Sequence, residues 1–425
     1  MYAGRIVEGG PVDRIFARPA HPYTEALIAA VPKLYGYQGK LRTIPGQPPA
    51  PTDVVIGCPF APRCDKADDL CRSEAPPTVD GGGGSQGKLL EGGTGMTMEP
   101  ILEARDLTQE FTLQQGLFGG QTHRVKAVSG LNFHIGKGET LALVGESGCG
   151  KTTTTRLLLR LQTPTRDTVR FGGEDIHALS GGGLKRFRSR VQAVFQDPWS
   201  SINPRVRIRD FVAEPLVVNE KLTAGEVDRR VHEALDAVGL GPAHARKFPH
   251  EFSGGQRQRI AIASALVSRP DLIVLDEPVS GLDVSIRSQI INLFKDIQQE
   301  YGVSYLLVAH DLATTRYLAD RVAVMYLGSI VETGATDDIF ETPRHPYTEA
   351  LLSAALPSTP GQRRAEISLR GEVPSPLDPP TGCAFHPRCH KVIGDICAQT
   401  APELVNRDGC DLRCHLYAKS LDQVA

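Results

Sequence analysis

The chain has 425 residues, 40% of them hydrophobic, and its 47 basic and 49 acidic side chains give a formal net charge of −2. That length accommodates two or three domains with ordinary cores, and the balanced charge excludes the overall basic field that gathers nucleic acid. No run of about 18 apolar residues occurs, and Met1-Tyr2-Ala3-Gly4-Arg5 does not lead into an apolar signal segment, so a chain kept in the cytoplasm is expected, touching a membrane only through a partner.

The chain opens on a repeat. Most of residues 1–27 recur at residues 325–351, including His21-Pro22-Tyr23-Thr24-Glu25-Ala26-Leu27 against His345-Pro346-Tyr347-Thr348-Glu349-Ala350-Leu351. After a one-residue shift Gly57-Cys58-Pro59-Phe60-Ala61-Pro62-Arg63-Cys64 matches Gly382-Cys383-Ala384-Phe385-His386-Pro387-Arg388-Cys389. A single recurrence at so long an offset indicates duplication of a whole unit, not a solenoid. Residues 1–80 are therefore read as a displaced copy of a carboxyl-terminal tail, and the glycine-rich residues 81–99 as a flexible linker. The main domain is expected over residues 100–335, with a second tail over 336–425.

Within that domain the apolar runs Leu141–Val144, Val191–Phe195, Leu272–Leu275 and Tyr305–Ala309 alternate with helical stretches, which predicts a mainly parallel, buried sheet. Strand signal stops over about residues 197–255, where Val231–Val238 and its neighbours predict a helical insertion. Ser180-Gly181-Gly182-Gly183 is read as a loop.

Gly145-Glu146-Ser147-Gly148-Cys149-Gly150-Lys151-Thr152 follows the first of these runs and opens a helix. It fits the phosphate-loop pattern: Gly145, Gly148 and Gly150 let backbone N–H groups turn inward beside Ser147, Lys151 supplies a cation, and Thr152, followed by Thr153, can ligate Mg²⁺. Asp276 and Glu277 emerge at the carboxyl edge of a buried strand, where open α/β sheets bind ligands; Asp276 suits metal binding through water and Glu277 suits activation of an attacking water. Gln196 and His310 end two other strands. Ser253-Gly254-Gly255-Gln256 precedes a helix and would form a second anion nest, which one chain with a complete phosphate cradle does not itself need.

These three elements, in this order and spacing, resemble the nucleotide-binding subunit of an ATP-binding-cassette (ABC) transporter, a P-loop NTPase with an antiparallel β subdomain and a helical subdomain. The resemblance implies ATP held between the phosphate loop of one cassette and the Ser253–Gln256 signature of a facing one. It further implies Glu277 as base, His310 as switch histidine, Gln196 on metal or water, Asp283 of Ser280-Gly281-Leu282-Asp283 in the coupling D-loop, and Phe111 stacked on adenine.

Cys383, Cys389, Cys397 and Cys414 lie in a proline- and glycine-rich tail, with Cys410 as an extra thiol. Four thiolates there can hold a [4Fe–4S] cluster or Zn²⁺, and unligated cysteines are the plain alternative. Cys58, Cys64 and Cys71 keep three of the four positions, so no cluster is expected in the first copy. The tail, with Phe195-Gln196-Asp197-Pro198-Trp199-Ser200-Ser201-Ile202-Asn203-Pro204, resembles the oligopeptide/dipeptide/nickel importers. The implied function is an ATPase that energises import through separate membrane subunits fed by an external solute-binding protein. It would be peripheral on the cytoplasmic face and paired with a second cassette, as the second half of a tandem ATPase whose first motor is absent here. A soluble non-transport ABC ATPase and a regulatory remnant are the alternatives.

Overall fold

The computed structural model describes residues 1–3, 5–34, 39–49, 57–74, 100–114, 122–197, 202–355 and 367–418. The linker expected at 81–99 and Pro198–Ser201 of the Gln196 motif lie outside them. The chain divides into two units, one of residues 1–95, 281–293 and 356–364, the other of residues 96–280, 294–355 and 365–425.

The smaller unit is built on aromatic packing. Short helices span Val12–Ala17, Pro22–Ala30 and Asp69–Ser73. Tyr2, Tyr23 and Phe60 interlock, with Ile44, Cys58 and Ala61 completing the apolar cluster. Helix Pro22–Ala30 begins with proline at its first turn, where a missing N–H costs nothing, and His21 caps it by accepting from Tyr23 N at 3.1 Å.

The larger unit carries two sheets. One is antiparallel, formed by β1 (Pro100–Gln114), β2 (Thr122–Gly136), β4 (Arg166–Phe171) and β5 (Glu174–Asp175), in the order β2-β1-β4-β5. The other has eight strands. Its parallel part takes β3 (Thr140–Val144), β6 (Val191–Val194), β7 (Leu272–Asp276), β8 (Ser304–Val308) and β9 (Arg321–Tyr326), in the order β9-β3-β8-β7-β6. Every residue of β3 and β8 is buried, which explains why these strands read as unbroken apolar runs: both faces are covered. Residue Leu141 lies opposite Leu306, and Leu275 opposite Leu307, so the carboxyl ends of β3, β7 and β8 come out along one edge.

Helices Ile208–Asn219, Ala224–Ala237 and Gly254–Leu266 pack on one another and form the helical insertion. Ser180 does not sit in a loop: it precedes helix Gly181–Arg190, whose first turn is the glycine run. Three glycines are poor helix formers, and the apolar contacts of buried Phe187 outweigh that local preference.

The tail is more regular than its composition suggests. β10 (Ser329–Ala335), β11 (Val405–Arg407) and β12 (Cys410–Leu412) extend the sheet antiparallel, with Glu332 opposite Leu412. Asp408 (φ 48°) and Gly409 (φ 80°) make the tight turn between β11 and β12, a pair that favours a two-residue hairpin.

His345 caps helix Pro346–Ser353 by accepting from Tyr347 N at 3.0 Å, and its own N–H donates to buried Glu332 at 3.0 Å. Burial lowers its pKa from 6.5 to about 4, so the ring is neutral in the fold. Between these values the unfolded chain binds a proton that the folded chain refuses, so stability falls on acidification through that window, by up to about 3 kcal/mol. Buried Glu332, whose pKa is raised, acts in the opposite sense. The expected result is therefore a difference: urea midpoints of wild type should fall more steeply from pH 7 to 5 than those of His345→Asn, which keeps a capping side chain without the titration.

Candidate functional site

The phosphate loop connects β3 to helix Lys151–Leu158, and its glycines are required by space as well as by torsion. Gly145 (φ 152°) would place a Cβ 2.2 Å from Met325 O, and Gly150 (φ 108°) one 2.4 Å from Ala127 O. No side chain caps the helix, which starts from Gly150 in the left-handed region. Ser147, Gly148 and Thr152 are exposed on the loop, whereas Lys151 is buried. Its ammonium donates to Gly145 O at 2.7 Å and Glu146 O at 3.0 Å, so the cation is held by the loop's own carbonyls.

Beside it, Asp276 closes β7. Burial and then the neighbouring Glu277 carboxylate push its pKa up, and Arg156, Lys151 and His310 oppose the rise. Two adjacent carboxylates in a half-buried setting favour a cation, and with the exposed Thr152 hydroxyl they are a donor set of the oxygen type that Mg²⁺ takes. Glu277 has φ 51°, a left-handed backbone that costs a non-glycine residue about 1–3 kcal/mol. Its N–H donates to Val308 O at 2.9 Å, and its carboxylate pairs with His310 Nε2. The strain turns the chain off the strand and presents the carboxylate to the exposed imidazole. Gln196 is exposed just past β6, on the same sheet. Phe111 lies half-buried on β1 opposite Val125.

Ser253–Gln256 serves a helix of its own chain. Ser253 caps helix Gly254–Leu266: its backbone N–H donates to Gln256 Oε1 at 3.0 Å, and Gln256 N donates to Ser253 Oγ at 3.5 Å. Serine followed three residues on by glutamine is a capping box. Both side chains serve the helix here, and Ser253 and Gly254 remain exposed. Further along, buried Gln258 donates to Pro278 O at 2.7 Å and ties this helix to the turn after Glu277.

Three residues not foreseen from the sequence brace the phosphate loop. Arg388 grips Glu146 with two guanidinium nitrogens, at 2.8 and 3.1 Å, and its pKa is raised by that carboxylate. Tyr347 Oη accepts from Glu146 N at 2.9 Å, and Tyr326 Oη accepts from Arg388 at 3.4 Å. The available signal was the repetition itself: Tyr2, Tyr23 and Arg63 recur in the first copy at matching positions.

Cys383, Cys389, Cys397 and Cys414 line one small cavity of about 20 Å³ with His345, His386 and His415. Burial pushes the Cys414 thiol up to about 12, with its three neighbours adding to the rise. Cys410 is not among them: it is fully buried in β12, where its sulfur accepts from Arg344 at 2.9 Å, so it does not compete as a ligand. Among the described residues no three His, Cys, Asp or Glu side chains are arranged to hold a metal ion. The four thiols surround one space, the donor type that both an iron–sulfur cluster and Zn²⁺ take.

Comparison with known proteins identifies the family. Residues 128–280 match the ABC transporter family, and residues 7–71 and 331–397 both match the oligopeptide/dipeptide transporter C-terminal region. The oligopeptide transport ATP-binding protein AppF of Bacillus subtilis is 46% identical over 76% of this chain and 100% of its own length. The dipeptide transport ATP-binding protein DppF of Escherichia coli is 45% identical over 74% of this chain and 94% of its own. The glutathione import ATP-binding protein GsiA of Pectobacterium atrosepticum is 41% identical over 89% of this chain but only 56% of its own length. A solved structure of cbiO1 from Clostridium perfringens, part of the ABC transporter complex cbiONQ, superposes with a TM-score of 0.50 at 30% identity, covering 57% of this chain and 91% of that one. The chain belongs to the ABC transporter family, and within it to the ATPases that carry the oligopeptide/dipeptide transporter C-terminal region.

Proposed function

We propose that this chain binds and hydrolyses ATP to energise import of peptides, or of nickel or related solutes, through separate membrane subunits. The observation that carries the reading is the meeting of Lys151, Asp276, Glu277 and His310 at one sheet edge, in a chain whose tail is of the oligopeptide type. Gly145, Ser147, Gly148, Gly150, Thr152 and Thr153 cradle the phosphates, Lys151 turns from the loop carbonyls to them, and Phe111 stacks on adenine. Thr152, Asp276 and Gln196 would hold Mg²⁺, which when bound offsets phosphate charge. Glu277 takes a proton from the attacking water as its oxygen bonds the γ-phosphorus, and the bond to the bridging oxygen breaks to release ADP. His310 orients Glu277 and the water.

Ser253, Gly254, Gly255 and Gln256 complete the site of a facing cassette, and Asp283 couples the two. The chain acts as a peripheral subunit on the cytoplasmic face; no described helix is long and apolar enough to cross a membrane. The cysteine cavity would seat a [4Fe–4S] cluster or, as the alternative, Zn²⁺; four thiols around one space support the reading. Residues 1–80 act as a second copy of the tail, beside the cassette (100–335) and its own tail (336–425).

The test is one anaerobic preparation assayed three ways. Peptide-stimulated ATP hydrolysis should appear when the chain is reconstituted with its membrane subunits and solute-binding protein, Lys151→Ala should abolish it, and iron and sulfide should co-purify. Hydrolysis indifferent to peptide would sink peptide as the cargo, and indifference to nickel and related solutes as well would sink the import reading; protein without iron would sink the cluster.

A further inference from the structure

The two tail copies share the geometry of their aromatic cores and differ at a segment lying between those aromatics in sequence. Ring centroids of Tyr2–Tyr23, Tyr2–Phe60 and Tyr23–Phe60 lie 4.7, 5.3 and 5.3 Å apart; those of Tyr326–Tyr347, Tyr326–Phe385 and Tyr347–Phe385 lie 4.7, 5.3 and 5.4 Å apart. Arg63 and Arg388 sit over Tyr2 and Tyr326 at the same 5.9 Å. In the first copy the segment Leu41–Gly46 is closed. Leu41 and Ile44 are 3% and 1% exposed, and Arg63 Nε donates to Pro45 O at 2.8 Å.

A helix closes it. Helix Val284–Tyr301 follows the D-loop, and its Asn292 amide donates to Leu41 O at 2.7 Å and accepts from Leu41 N at 3.2 Å, while Gln289 donates to Ile44 O at 2.7 Å. In the second copy Leu369–Gly371, which match Ile44–Gly46, are open among the described residues, and the counterpart of Leu41 lies outside them. Leu369 is only half-buried, and Arg388 Nε, in a side chain 8% exposed, has no hydrogen-bond partner among the described residues. A Cβ on Gly46 would meet Arg63 at 3.7 Å, whereas one on Gly371 would meet nothing within 4 Å among the described residues.

We infer that Leu369–Gly371 is a docking seat for the helix following the D-loop in a second copy of this chain. That helix closes the segment on Arg388 as Gln289 closes Ile44–Gly46 beside Arg63. The inference rests on the reading that two cassettes pair. Within one chain Gln289 and Asn292 are already engaged by residues 41–44, so the first copy competes with the second chain's tail for one helix and restrains self-association. Because Arg388 also grips Glu146, the docked helix is felt at the phosphate loop.

The test uses full-length chain carrying Glu277→Gln, saturated with ATP, with self-association followed by light scattering over a concentration series. Leu369→Asp should weaken the dimer about tenfold and Ile44→Asp should tighten it about tenfold, each the effect of losing one central anchor. Hydrogen exchange of the unsubstituted pair gives a second reading independent of those variants: residues 367–371 should gain protection on dimerisation and residues 41–46 should lose it. A dimer that forms with neither change, and with Leu369→Asp within twofold of its parent, overturns the inference while sparing the pairing. Absence of any ATP-dependent dimer overturns the pairing, and the inference with it.

Discussion

Glu277→Gln is expected to reduce ATP turnover by about 10²–10⁴-fold while leaving ATP bound, the range for removal of a general base. The amide keeps the shape and hydrogen-bond reach of the carboxylate but cannot take the proton of water. Its backbone is also preserved, which matters because φ at this position is 51° and the turn is held by Glu277 N–H donating to Val308 O. Radiolabelled ATP retained on a filter, beside phosphate release, separates the two effects. Retained hydrolysis would move the base to another residue, with His310 as the first candidate because it pairs with the same carboxylate.

Arg388→Ala is expected to raise the KM for ATP about tenfold with kcat little changed, and to cost about 3 kcal/mol of stability. Arg388 is 8% exposed and the Glu146 side chain 28%, so the pair is largely out of water, and removing one member strands the other charge. The carbonyl of Glu146 accepts from Lys151 and its N–H donates to Tyr347, so loosening Glu146 displaces the loop that must wrap phosphate and leaves Glu277 in place. Arg388 is therefore a positioning residue. Arg388→Lys should recover stability in part but not the nucleotide KM, because an ammonium cannot hold both carboxylate oxygens in one plane. Equal loss of kcat would show that the tail acts on the chemistry instead.

Much of the fold and the site was legible where chemistry is local. Asp276, Glu277 and His310 follow runs of apolar residues, Lys151 follows another by one glycine-rich loop, and a buried strand that stops at a polar side chain announces a sheet edge. Arg388 was not legible, since its partner Glu146 lies far back in the chain and nothing near either residue names the other. Cys410 was misleading for a similar reason: it stands among ligand-like cysteines, but β12 carries it away from their cavity to Arg344. Ser180 failed differently. Its glycines argue against a helix locally, and the packing of Phe187 decides otherwise. The β11–β12 hairpin could have been seen from Asp408-Gly409, yet strands of three residues carry too little alternation to be read.

That hairpin changes what kind of object the carboxyl-terminal region is. Because β12 pairs with β10, and β10 with β9, which lies beside β3, the backbone ladder runs unbroken from the tail to the strand that feeds the phosphate loop. Segments joined by such a ladder share hydrogen bonds, so opening of β10 would unpair both the tail hairpin and β9 beside the nucleotide-binding strand. Ligand that stabilises the loop then protects the tail against every opening that also unpairs β9 from β3. A region that resembles an appendage in sequence is thermodynamically part of the engine.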